Sequence, residues 1–194
     1  MLGLKLKTDP AWVHNVVNGN IEEILTDHAW CEQKAATNAI TMMVRYHDKT
    51  DLVTLMSELA QEEMSHFTMV HDIIKARGYQ LGPERKDDYV GRLMKFIDKQ
   101  KGADQLFLDR LLFAAMIEAR SCERFKVLSE TIEDKELAKF YYDLMASEAR
   151  HYTSFLKLAK KYCDPVEVDA RWDEWLKFEG DLIQSYGTGT GVHG

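Results

Sequence analysis

Two sets of residues in this chain have the types and spacing to hold metal ions. The first is Glu32 followed by Glu63 and His66; the second is Glu118 followed by Glu148 and His151. In each, a lone glutamate precedes a Glu-x-x-His pair by about thirty positions (32 to 63, and 118 to 148). Residues three apart on a helix point to one side, so Glu63 with His66 can reach one cation and Glu148 with His151 another. Glu32 and Glu118 would each complete one ion as a terminal ligand, and Glu63 and Glu148 could also bridge the two. Oxygen-rich coordination with one imidazole per ion suits iron or manganese better than structural zinc, which prefers Cys and His.

The competing reading is that Glu-x-x-His falls on a surface helix by chance. The flanking pattern argues against it. Leu52, Leu55, Leu59, Glu63, His66, Val70 and Ile73 follow a spacing of three and four, as do Leu137, Phe140 or Tyr141, Leu144, Glu148, His151, Phe155 and Leu158. Each pair interrupts an otherwise apolar stripe. Ions buried there without a partner would cost on the order of several kcal/mol each. The copies also repeat in register: Leu59, Glu63, His66, Phe67 and Thr68 match Leu144, Glu148, His151, Tyr152 and Thr153. Two helical hairpins related by a pseudo-twofold axis would turn the triplets toward each other.

The elements that must position these residues are all helical. Asp9-Pro10 reads as an N-cap and first-turn proline, opening a short helix to about Val17 that Gly19 breaks. Long helices are predicted over roughly 20–48, 51–77, 103–131 and 134–162. Asp51 is expected to cap the second and Gly78 to end it. A short helix around 88–100 would lie in a long crossover. Asp164-Pro165 breaks the fourth helix, a last one runs near 166–186, and the glycine-rich stretch 187–194 is expected to be a mobile tail. The expectation is a single all-α domain over 1–194, a four-helix bundle with a long crossover and extra short N- and C-terminal helices.

Composition narrows the function. The chain has 194 residues, 45% hydrophobic and 29% charged, with no apolar run long enough to span a membrane. The start, Met-Leu-Gly-Leu-Lys-Leu-Lys, lacks a secretory h-region. Three cysteines without Cys-x-x-Cys imply reduced thiols, a cytoplasmic location and no built-in iron–sulfur or rubredoxin module. Net charge is −7. Two divalent ions would bring it to about −3 with neutral imidazoles, so overall charge gives no support for nucleic-acid binding.

Other polar residues are candidates for supporting roles. Glu58 and Asp143 hold equivalent repeat positions and could orient a ligand histidine through its other nitrogen. His28, one turn before Glu32, could line the pocket. Glu62 could replace Glu63, although the repeat puts Ser147 in its place. Glu123 is expected to face another helix or solvent. Cys31 and Cys122 read as small core residues.

Four segments carry a family resemblance: Asp27 to Ala36, Gln61 to Phe67, Ile117 to Phe125 and Ser147 to Tyr152. They resemble the bacterial tRNA hydroxylases acting on 2-methylthio-isopentenyl-adenosine, ferritin-like di-iron monooxygenases. The likeness covers roughly Leu6 to Tyr186, and Ile-Glu-Ala-Arg-Ser-Cys-Glu-Arg-Phe is its more specific mark. It implies two irons held by Glu32, Glu63, His66, Glu118, Glu148 and His151, with O2 as co-substrate. It also implies the tRNA anticodon loop as partner and an external donor such as a ferredoxin with its reductase.

A cationic rim would be needed for the RNA phosphates. Candidates are Lys34, Arg45, Lys75, Arg77, Arg85, Lys86, Lys157, Lys160 and Lys161. The same ligand set also serves ferritin-like iron storage, rubrerythrin-like peroxide scavenging, manganese catalase and quinone hydroxylase chemistry. A metal-stabilised RNA-binding bundle without catalysis is the reading from a different class.

Overall fold

The computed structural model describes residues 2–19 and 21–186, so the expected tail at 187–194 lies outside the described residues. Seven α-helices and one 3-10 turn, and no strand, occur among them. The chain divides into two compact units: residues 18–86, and the described residues on either side of them.

In the first unit, α2 (Ile21–Arg45) and α3 (Thr50–Ala76) pair as a hairpin. Ala29, Ala36, Ala39 and Met42 of α2 and Leu52, Met56, Leu59, Val70 and Ile74 of α3 form its buried side. α2 stops at Arg45 rather than 48. Asp51 is not the cap of α3; Lys49 holds that place without a side-chain bond, and Asp51 lies in the first turn where its charge suits the helix dipole. α3 ends as predicted on Gly78, whose φ of 72° only glycine adopts freely. The amides of Gly78 and Tyr79 reach back to the carbonyls of Lys75 and Ile74, closing a Schellman motif. The chain then returns along α2. Trp30 donates its indole N–H to the carbonyl of Gly82 at 2.9 Å, and Lys34 Nζ donates to the carbonyl of Arg85.

In the second unit, α1 (Pro10–Gly19) opens with Asp9 accepting from the amide of Ala11. α4 (Asp88–Leu93) is followed by a 3-10 turn, Met94–Phe96. The predicted helix over 88–100 therefore ends early. Ile97 is extended, and Asp98 accepts from the amide of Gln100, turning the chain. α5 (Ala103–Thr131) and α6 (Lys135–Tyr162) form the second hairpin, with Asp134 capping α6 through the amides of Glu136 and Leu137. Asp164 caps α7 (Pro165–Tyr186).

α5 is buried around most of its circumference between Phe107 and Phe125, with Arg110, Phe113 and Ile117 half-buried, so the charges buried within that stretch need partners. Arg120 donates to Glu179 of α7, to Glu123, and to the carbonyl of Leu6. Tyr89 of α4 also donates to Glu179, and Thr8 donates to Glu123 through both amide and hydroxyl. Nearer the start of α5, Asp109 accepts two bonds from Arg171 and one from Trp175. The two clamps have opposite polarity: α5 supplies the acid at 109 and the base at 120. Reversing α7 would set like charges against each other, so the pairs specify its direction along α5.

Candidate metal centre

Each unit builds one complete triplet. In the first, α2 brings Glu32 and α3 brings Glu63 and His66, all buried. Their ligand atoms lie within 4.8 Å of one another. His66 Nδ1 is 3.1 Å from Glu63 Oε2 and 3.6 Å from Glu32 Oε2. In the second, α5 brings Glu118 and α6 brings Glu148 and His151, again buried and within 4.8 Å. His151 Nδ1 is 3.7 Å from Glu118 Oε2 and 4.0 Å from Glu148 Oε1. Two carboxylates and one imidazole converging in a buried pocket fit a divalent iron or manganese ion. They fit structural zinc less well, for no cysteine joins either set.

The electrostatics of the first triplet agree with a cation-seeking site. Burial alone would raise the Glu32 carboxyl, but hydrogen bonds from His28 and His66 outweigh it and hold the group well below the usual carboxylate range. Burial alone would lower His66, but Glu32 and Glu63 outweigh it and raise the imidazole to about 9. Without a cation, a proton on His66 does part of the cation's work. In the second unit burial, followed by the charges of Glu118 and Glu123, pushes the Cys122 thiol up to about 11. It is a buried, inert thiol that donates to the carbonyl of Met145.

The supporting residues separate cleanly. His28 is completely buried and bonds Glu32 Oε1 through Nε2 at 2.7 Å. Glu58 is exposed. Asp143 pairs with Lys139 and its side chain is 55% exposed. Neither orients a ligand histidine, because each lies five residues before its pair's glutamate, about 140° around the helix. Glu62 is partly exposed, with Oε1 3.9 Å from His66 Nε2. Glu123 faces the N-terminal segment, within the Arg120 cluster. Among the basic candidates, Lys34, Lys75, Arg85 and Lys160 are engaged by Glu84, Asp72, Glu23 and Asp169. Arg45, Lys86 and Lys157 are exposed.

Sequence reasoning missed the two clamps on α5. A signal was present: Asp109, Arg120, Glu123 and Arg124 sit in a helix that is otherwise rich in apolar residues. Charges in such a setting must be paired.

An all-α chain carrying paired Glu and Glu-x-x-His sets on helical hairpins is a ferritin-like protein of the carboxylate–histidine metal class. A solved relative agrees: "Protein 43 with aldehyde deformylating oxygenase activity" from Synechococcus superposes with a TM-score of 0.91 at 37% identity, over 98% of this chain and 94% of that one. The sequence pattern of the tRNA-(MS[2]IO[6]A)-hydroxylase (MiaE) family matches residues 2–194, and the chain belongs to that family. It is 39% identical to the tRNA 2-(methylsulfanyl)-N(6)-isopentenyladenosine(37) hydroxylase of Pseudomonas putida, over 92% of this chain and 85% of that protein. To the enzyme of the same name from Salmonella typhimurium it is 28% identical, over 94% and 84%.

Proposed function

We propose that this protein is a di-iron oxygenase that hydroxylates the isopentenyl group of 2-methylthio-isopentenyl-adenosine in tRNA. The observation that carries the reading is the pair of matched, buried Glu/Glu/His triplets in a chain of this family. Glu32, Glu63 and His66 would hold one iron, and Glu118, Glu148 and His151 the other. Four carboxylates balance two divalent ions, so the filled site would be electrically neutral among buried side chains. Bound iron supplies the capacity to reduce O2 with two electrons and place one of its oxygen atoms into a C–H bond. The balance is R–H, O2, two electrons and two protons in; R–OH and water out.

The chain's own residues hold this chemistry in place. Glu63 and His66 share one face of α3, and Glu148 and His151 one face of α6, so helix geometry rather than loop order sets the ligand spacing. Burial of both triplets would keep bulk water away from the ions they hold. The two electrons would come from a ferredoxin-type donor with its reductase, and the protein would work in the cytoplasm. The target base must leave its stack to reach a buried centre. Exposed Arg45, Lys86 and Lys157 are free to meet phosphate.

A second reading has a specific observation behind it. The Synechococcus relative is named for aldehyde deformylating oxygenase activity. One experiment separates the two: iron-loaded, reduced protein is given O2 with tRNA bearing the isopentenylated base, and separately with an aliphatic aldehyde. One added oxygen on the nucleoside supports the hydroxylase reading. Formate from the aldehyde, with unmodified tRNA, supports the other.

A further inference from the structure

The two triplets repeat each other closely, so what differs between them is informative. The distances from each histidine to its lone glutamate match, 3.6 Å from His66 Nδ1 to Glu32 Oε2 and 3.7 Å from His151 Nδ1 to Glu118 Oε2, while those to the paired glutamate differ, 3.1 Å for Glu63 and 4.0 Å for Glu148. The position four residues before the lone glutamate does not match. In the first copy it is His28, completely buried, with Nε2 at 2.7 Å from Glu32 Oε1. In the second it is Ala114, which has nothing to donate. Among the described residues, no hydrogen bond holds the carboxylate of Glu118.

A short bond between an imidazole N–H and an ionised carboxylate is strong and directional. It occupies Oε1 and leaves Oε2, on the His66 side, for a cation. We infer that His28 is a positioning residue that makes the two metal positions unequal: it commits Glu32 to its ion through one oxygen, while Glu118 keeps both oxygens available. The inference rests on the metal-centre reading above. It adds that the first position is held more rigidly than its partner and that the difference traces to one side chain outside the ligand set. Hydrogen bonds to ligating groups of this kind change metal affinity by roughly 10–100-fold.

The test is titration of metal-free protein with Co(II) alone, followed by calorimetry and visible absorption. The first position is read in a His151→Ala background and the second in a His66→Ala background. His28→Leu, which fills the space without a donor, should weaken Co(II) binding roughly 10–100-fold in the His151→Ala background and leave it unchanged in the other. His28→Gln, which keeps an N–H donor, should restore binding close to that of the parent. Unchanged affinity with His28→Leu, an equal loss in both backgrounds, or failure of His28→Gln to rescue would each overturn the inference. If His28→Leu does not fold, as judged by circular dichroism, His28→Ala takes its place in the same comparison. Parent protein that binds fewer than two Co(II) would instead defeat the metal-centre reading itself.

Discussion

Arg120→Met should be a strongly destabilising single change outside the two Glu/Glu/His triplets. The guanidinium is completely buried and bonds Glu179 at 2.8 Å, Glu123 at 3.1 Å and the Leu6 carbonyl at 3.1 Å. Methionine fills much of the volume but removes the cation hydrogen-bonded to both carboxylates, leaving Arg124 as the nearby charge. Removing one partner of a buried ion pair costs about 3–5 kcal/mol. A domain of this length loses about 2–4 °C per kcal/mol, so the melting temperature should fall by roughly 6–20 °C. Exposed Lys139, paired with Asp143 at i,i+4 and 74% exposed, is the internal control: Lys139→Met should cost no more than about 0.5 kcal/mol. The double variant Arg120→Met, Glu179→Leu removes both charges of the main pair and should be more stable than Arg120→Met alone. Urea denaturation followed at 222 nm reads all three. A loss under about 1 kcal/mol for Arg120→Met, or a double variant no better than the single, would refute the view that α5 is clamped by a charge-compensated buried network.

Other expectations follow from the same geometry. Glu118→Ala and Glu32→Ala should each lower bound iron from two per chain toward one, measured by elemental analysis; unchanged metal content would sink the ligand assignment. In metal-free protein, Glu32 is depressed, so its contribution to stability is present above the ordinary carboxylate pKa and is lost as pH falls toward its folded value. His66 is raised, so its contribution is complete below the ordinary imidazole pKa and is lost as pH rises through about 9. Urea midpoints across pH should therefore decline at both ends, and His66→Ala should flatten the alkaline limb. Because a ligating imidazole must be neutral, metal binding at pH 7.5, about 1.5 units below the raised value, should release a proton from His66. Calorimetry in buffers of different ionisation enthalpy would detect it. Replacing Arg45, Lys86 and Lys157 together by Ala should weaken tRNA binding and make its salt dependence shallower; an unchanged slope would remove them from the RNA contact.

The convergence of the two buried Glu/Glu/His triplets was legible in the sequence because a helix converts spacing directly into direction. Glu-x-x-His on an apolar stripe has one geometric meaning, and a second copy in register removes chance. The spans of α5 and α6 were legible for the related reason that Gly102, Asp134 and Asp164 punctuate a continuous pattern. The region after Tyr89 was harder. Leu93, Phe96 and Ile97 carry helical spacing, yet the local turn at Asp98 outcompetes the last helical bonds. Glu58 and Asp143 misled because equivalence between repeats was taken for orientation, while five residues on a helix point away. His28 was visible only as a neighbour of Glu32; its bond depends on a side-chain rotamer that spacing does not encode. The clamps on α5 join residues up to 115 positions apart, as in Thr8 with Glu123, and no periodicity reports such a pairing.

The most direct test of the account is turnover. Iron-loaded, chemically reduced protein is mixed with 18O2 and tRNA bearing 2-methylthio-isopentenyl-adenosine, and the nucleosides are read by mass spectrometry. One 18O atom should appear on that nucleoside, and none with His66→Ala. An unmodified nucleoside, with iron and reductant confirmed present, would contradict it.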